Sequence, residues 1–92
     1  MIKSFRLRGL KRLFERDDGS RLPPDMVDRI TGILAALSAA GLPEDMDRPS
    51  LRLHRLSGDR SAQWAVTVRS NWRITFEFSD GHAHVVDFTD YH

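Results

Sequence analysis

The first half of the chain repeats apolar residues at spacings of three and four, which is the pattern of amphipathic helices. One apolar stripe comprises Leu7, Leu10, Leu13 and Phe14. A longer stripe comprises Met26, Val27, Ile30, Ile33, Leu34 and Leu37. Pro23-Pro24-Asp25 precedes the longer stripe, and Pro and Asp both suit the first turn of a helix. We therefore predict two helices, the second beginning near Pro24 and ending at Gly41.

The apolar period changes to two after Pro49, which predicts strands. In the first strand, Leu51 and Leu53 alternate with Arg52 and His54. A three-residue loop, 69–71, would join the next two strands. It would pair Val68 with Trp72, Val66 with Ile74 and Trp64 with Phe76. All these apolar residues then share one face, and the opposite face carries Thr67, Arg73, Thr75 and Glu77. A two-residue loop would mix the two faces and is rejected.

These elements predict one α+β domain spanning residues 1–92. Asp80-Gly81 indicates a further hairpin, and Met1–Phe5 is a candidate edge strand. We expect two N-terminal helices packed on one face of a mostly antiparallel β-sheet. The other face of the sheet is expected to be open and polar.

Composition excludes several classes of chemistry. The 92 residues contain no cysteine, which excludes disulfide scaffolds, thiolate metal sites and thiol nucleophiles. No apolar run approaches the ~20 residues that span a bilayer, so we expect a cytoplasmic protein without membrane association. His82-Ala83-His84 with Asp87 is a weak metal signal, and we interpret these histidines as surface or partly buried residues. No metal or other cofactor is expected.

The charges are segregated along the chain, although the net charge is only +1. Residues 1–12 carry five basic groups and no acid, and residues 48–73 carry six Arg and one Asp. The segments 13–47 and 74–92 are acidic. A fold that joins the two basic segments would present a cationic face to a polyanion, although ordinary solvated surface charge fits the composition equally well.

Residues suited to RNA chemistry cluster on the predicted open face and at the end of the chain. Arg guanidinium groups match phosphate oxygens, His exchanges protons near neutral pH, and Tyr stacks on bases or donates its hydroxyl. Metal-free RNA cleavage needs such a set, because a base, a phosphate clamp and an acid act together. Each residue alone fits an ordinary surface role. The set comprises Arg52, His54, Arg69, Arg73, Asp90, Tyr91 and His92.

Several motifs resemble the HigB toxins of the RelE/ParE superfamily over the whole chain. The most specific are Asn71-Trp72-Arg73-Ile74-Thr75-Phe76 and the final Asp90-Tyr91-His92. Met1-Ile-Lys-Ser-Phe, Leu53-His54 and Gly58-Asp59-Arg60 add to the likeness. The resemblance implies a RelE-like fold and a ribosome-dependent mRNA endonuclease that inhibits translation. It also implies a HigA-type helix-turn-helix antitoxin as partner, and binding of operator DNA through the complex with that antitoxin.

The resemblance also assigns roles to individual residues. His54 and His92 match acid–base positions, and Arg73 matches a phosphate-stabilising position. Asp90 and Tyr91 match residues that shape the active site. Arg69 is near a further cationic position of the family.

One departure from the family pattern affects the predicted phosphate contacts. The family run Leu-His-Pro-Leu-Lys-Gly stands here as Leu53-His54-Arg55-Leu56-Ser57-Gly58, so a Lys thought to assist the phosphate is absent. We predict that Arg55 or Arg60 partly replaces it. Two other functions remain open at this stage. One is a non-catalytic protein, either a ParE-like toxin that poisons gyrase or a decayed module that only binds its antitoxin. The other is RNA binding without cleavage.

Overall fold

A computed structural model describes residues 1–60 and 62–90. For Arg60 it describes the backbone but not the side chain. The described part contains two helices, α1 (Arg8–Arg16) and α2 (Val27–Ala39). It also contains four strands, β1 (His54–Arg55), β2 (Gln63–Arg69), β3 (Trp72–Ser79) and β4 (His82–Asp90). The strands lie in sequence order, each antiparallel to the next. The predicted α+β architecture with N-terminal helices is confirmed.

The hydrophobic core lies between the helices and one face of the sheet. Both predicted helical stripes contribute to it, and Leu10, Ile30 and Leu37 are fully buried. The sheet contributes the fully buried Ile74 and Phe76. Burial of such side chains is worth about 1.5–3 kcal/mol each, so this layer supplies the main drive for folding.

Phe14 does not belong to the buried stripe that the sequence predicted. Its side chain is 40% exposed. Its ring meets that of Phe5 edge to face, with 5.7 Å between the ring centroids. Phe14 therefore packs on the N-terminal segment at the margin of the core.

The N-terminal segment forms the predicted edge strand beside β4. Ile2 and Phe5 make parallel bridges to Ala83 and Val86. The backbone N–H of Lys3 donates to the Ala83 carbonyl at 2.8 Å. The sheet therefore gains a parallel edge at β4, and the prediction for Met1–Phe5 is confirmed.

The end of α2 differs from the prediction. The helix ends at Ala39, and Ala40 is already extended. Gly41 lies outside the left-handed region that a glycine stop would use. The backbone N–H groups of Gly41 and Leu42 instead donate to Asp45 Oδ2 at 2.9 and 3.0 Å. The helix end itself is closed by the Ala40 N–H, which donates to the Leu37 carbonyl at 3.2 Å, and the Asp45 carboxylate binds the backbone just beyond it.

The β2–β3 connection also corrects the prediction. The pairs Trp64–Phe76 and Val66–Ile74 are confirmed, but Arg69, not Val68, pairs with Trp72. The turn has two residues, 70–71, and a β-bulge lies between Thr67 and Arg69. The bulge inserts one extra residue, so Val68 stays buried in the core while the alternation of faces shifts beyond it. A two-residue turn is therefore compatible with a single apolar face.

The first strand is shorter than predicted. Arg52 has a φ of 51°, in the left-handed region, so regular strand geometry begins only at His54. Leu51 is still buried, as its apolar character indicates. Arg52 and His54 therefore do not share a strand face, which corrects that part of the prediction.

Candidate functional site

The strand register assembles a set of side chains on the open face, away from the helices. His54 is opposite Ala65, Ala65 is opposite Thr75, and Thr75 is opposite Asp87. These four residues form one row across the sheet. The adjacent row contains Thr67, Arg73 and Thr89. His54 and Arg73 consequently project from the same face, as the sequence predicted.

His54 is held by the backbone that precedes it. Its Nδ1 lies 2.9 Å from the Arg52 carbonyl oxygen. A carbonyl oxygen only accepts hydrogen bonds, so Nδ1 carries the proton in this contact. In the neutral ring Nε2 is then unprotonated and is able to accept a proton. The left-handed Arg52 backbone thus fixes the tautomer that a general base requires.

Arg73 is half-buried on β3, and a hydroxyl group orients it. Its Nη1 donates to Thr67 Oγ1 at 3.1 Å. Arg73 lies two strands away from His54 and is displaced by two residues along β3. The usual strand dimensions then place their Cα atoms roughly 12 Å apart. Side chains as long as those of Arg and His can both reach a phosphate group that lies between them.

Small buried residues lie between His54 and Arg73. Ala65 is completely buried and Thr75 is 1% exposed. Thr75 Oγ1 has no hydrogen-bond partner within the described residues. The centre of this face is therefore buried, which corrects the prediction of an open and polar face.

Asp87 closes the His54 row at the β4 side. Its carboxylate is 19% exposed and lies 3.9 Å from Arg6 Nε. Its Oδ1 also accepts a hydrogen bond from the Phe88 backbone N–H at 2.9 Å. This acid is thus engaged by a cation and by the backbone at the margin of the face.

Arg69 lies apart from Arg73, so the structure does not bring the two arginines together, and a phosphate contact by Arg69 stays a prediction. Its Nη1 lies 2.5 Å from Asp25 Oδ2, just before α2. Both side chains are largely exposed, at 59% and 61%. The bulge explains the difference, because it turns Arg69 to the Trp72 side of the sheet.

Arg55 also points away from His54. It pairs with Trp64, and its guanidinium carbon lies 5.3 Å from the centroid of that indole ring. Successive strand residues project to opposite faces, so Arg55 lies on the Trp64 face. The geometry therefore disfavours Arg55 as the replacement for the family Lys. The side chain of Arg60 lies outside the described residues.

Of the predicted site residues Asp90, Tyr91 and His92, the structure describes only Asp90. Asp90 pairs with Trp72, so strand alternation assigns it to the face opposite Arg73, where it is exposed at the end of the sheet. Tyr91 and His92 lie outside the described residues. Among the described candidates, then, the register unites His54 and Arg73 only.

The two histidines at the start of β4 are partly buried, as predicted. Burial lowers the pKa of His82 below its usual value, and the charges of Lys3 and of the N-terminal amine lower it further. His82 Nδ1 and His84 Nε2 are buried and have no hydrogen-bond partner in the described part of the chain. They lie one or more rows away from His54.

Comparison with known proteins decides the family. The sequence model of one protein family, described as the RelE-like toxin of type II toxin-antitoxin system HigB, matches residues 3–92. The chain belongs to this family of toxins. It is also 47% identical to Endoribonuclease HigB of Proteus vulgaris over 92 residues, which is the full length of both chains. A toxin of a type II system has an antitoxin partner, so the chain is one half of such a pair.

Two features of the toxin were not given a role from the sequence. Thr67 was placed on the open face, and the predicted register already put it opposite Arg73, so the signal was present. Arg29 gave no such signal, because its hydrogen bonds reach carbonyls of residues 21 to 39 positions away. No helix in the described ranges is long and apolar enough to cross a membrane.

Proposed function

We propose that the chain is an endoribonuclease that cleaves messenger RNA on the ribosome and so inhibits translation. The observation that carries the proposal is the shared face of His54 and Arg73, which supplies a base and a phosphate-binding cation on backbones whose Cα atoms are about 12 Å apart. The name of the Proteus relative supports it, since that protein is an endoribonuclease. The reaction proposed is attack by a ribose 2′-hydroxyl on the adjacent phosphate, without a metal ion.

His54 is the general base in this proposal. Its Nδ1 proton is committed to the Arg52 carbonyl, which leaves Nε2 to take the proton of the 2′-hydroxyl. The sequence left the order of the two histidines open, and the Nδ1 contact favours this assignment. The 2′-oxygen then bonds to phosphorus, and a pentacoordinate phosphorane forms.

Arg73 stabilises the negative charge that develops on the phosphorane. A guanidinium presents several N–H donors in one plane, so it can bind phosphate oxygens while Nη1 remains on Thr67. Such preorganised donors act at the transition state, where the charge is greatest. The face around Arg73 is half-buried, which strengthens the electrostatic interaction.

The acid step is assigned to the end of the chain. His92 protonates the departing 5′-oxygen, Tyr91 contacts ribose or base, and Asp90 orients a histidine. These roles follow from the family resemblance. The products are a 2′,3′-cyclic phosphate, or the 3′-phosphate formed from it, and a 5′-hydroxyl.

The proposed partners follow from the same resemblance. We propose a HigA-type helix-turn-helix antitoxin, the ribosome with its bound message, and operator DNA that is contacted through the antitoxin complex. A cytoplasmic location accords with these partners.

Primer extension on a translated message tests the proposal. Induced wild-type toxin should yield defined breaks, and His54→Ala and His92→Ala should each lose them. Purified toxin treated with EDTA should retain cleavage on ribosomes that keep their own Mg²⁺. Retained cleavage in His54→Ala would exclude His54 as the base.

Other outcomes of this experiment point to the alternative functions. A DNA-damage response without message cleavage would indicate a ParE-like toxin. Salt-sensitive RNA binding without product ends would indicate a binding protein. Either result would contradict the nuclease proposal.

A further inference from the structure

Three threonines on the open face differ in their hydrogen bonds. Thr67 Oγ1 accepts from Arg73, whereas Thr75 Oγ1 and Thr89 Oγ1 are buried without a partner in the part of the chain that the structure describes. Thr67 and Thr89 are opposite Arg73 on its two neighbouring strands. The guanidinium thus contacts one of two threonines at equivalent positions. The Arg73 side chain is therefore directed toward Thr67 on β2 and not toward Thr89 on β4.

The backbone around Thr67 is fixed from two directions. Its N–H donates to the Leu51 carbonyl at 2.7 Å. On α2, Arg29 donates through Nη2 to the Ser50 carbonyl at 2.8 Å and to the Thr67 carbonyl at 3.4 Å, and through Nε to the Val68 carbonyl. Beyond Ala65 the strand has no further pair with β1, so these bonds replace the missing ladder.

We propose that Thr67 is a positioning residue for Arg73, and that Arg29 acts through the bulge to hold Thr67 in place. The inference rests on the proposed nuclease function. A threonine suits this role because its β-branched side chain has few rotamers, so its hydroxyl is held in one direction. The hydroxyl is a neutral acceptor, so this contact orients the guanidinium without adding a negative charge beside it.

The inference predicts a loss in the chemical step. Without the hydroxyl, Arg73 loses one of the contacts that orient its guanidinium, so fewer molecules present its N–H donors correctly at the transition state. Loss of one hydrogen bond to a charged group corresponds to about a tenfold fall in kcat. KM should change by less than about twofold, because ground-state binding of the message depends on many other contacts.

The test compares Thr67→Val with Thr67→Ser and Thr89→Val in single-round cleavage of a ribosome-bound message. Thr67→Val should lower kcat about tenfold, whereas Thr67→Ser, which keeps the acceptor, should stay within about threefold of wild type. Thr89→Val is the matched control and should keep wild-type activity. Thermal unfolding of each variant checks that it is folded at the assay temperature. If Thr67→Val unfolds, Thr67→Ala replaces it.

A double variant separates positioning from a general structural effect. Thr67→Val should cause no further loss when Arg73 is already alanine, because its effect passes through Arg73. Full activity of Thr67→Val, equal losses in Thr67→Val and Thr89→Val, or additive losses in the double variant would overturn the inference. Absence of cleavage by the wild type would instead contradict the proposed function itself.

Discussion

Arg69 and Arg73 lie on either side of the same two-residue turn, yet they face opposite sides of the sheet. Arg69 is on the helix side and pairs with the exposed carboxylate of Asp25. Arg73 is on the open side, half-buried, and donates to the hydroxyl of Thr67. The acceptor on Arg69 is a charged carboxylate, whereas the hydroxyl that accepts from Arg73 is neutral. One added residue in the bulge therefore separates a surface ion pair from a candidate phosphate-binding group.

The largest expected effect is the difference in RNA cleavage rate between the alanine variants of Arg73 and Arg69. Arg73→Ala should lower cleavage of a ribosome-bound message about 100-fold, since it removes a preorganised cation from the transition state. Arg69→Ala should stay within about twofold of wild type, because exposed ion pairs contribute little. Primer-extension rates measure both. Similar losses in the two variants would show that the turn does not separate their roles.

The next effect concerns the helix-side support of the bulge. Arg29→Ala should lower the free energy of unfolding by about 1–2 kcal/mol, because three backbone carbonyls lose a donor. Arg48 lines the same surface groove as Arg29 but makes none of these bonds, so Arg48→Ala is the control and should change the free energy of unfolding by less than about 0.5 kcal/mol. Denaturant unfolding gives both values. Equal stability of the two variants would argue against a role for Arg29 at the bulge.

A smaller effect is expected at the centre of the open face. Thr75→Val removes a buried hydroxyl that has no partner among the described residues, so stability should be unchanged or up to about 1 kcal/mol higher. Thermal unfolding gives the change. A clear loss of stability would mean that the hydroxyl is satisfied in solution, for instance by water.

The smallest effect is a pH dependence at the far end of the same face. The pKa of His82 is lowered from 6.5 by burial, then by Lys3 and the N-terminal amine. The unfolded chain therefore binds a proton at higher pH than the folded chain, and stability should fall as pH drops from about 7 through 6.5. His82→Gln should reduce that dependence in unfolding curves measured at several pH values. An unchanged slope would exclude His82 as its source.

The sequence predicted the architecture better than the details of the site. Alternation gave the Val66–Ile74 pair, and the alternation of polar and apolar residues within each strand was enough to place His54 and Arg73 on one face. It did not reveal the bulge at Val68, because an inserted apolar residue leaves the alternation before it intact. The left-handed backbone at Arg52 was also unpredictable, since that conformation is uncommon for arginine and depends on tertiary contacts. The separation of Arg69 from Arg73 follows from the bulge, so the sequence could not reveal it.

The pairing of the N-terminal segment with β4 has a consequence for how the toxin is made. Residues 1–6 leave the ribosome well before their hydrogen-bonding partners in 82–90, which are synthesised about 80 residues later. Contacts so distant in sequence form late and slow the folding rate. A nascent chain therefore cannot complete its sheet until β4 has been translated, which delays the appearance of an active molecule.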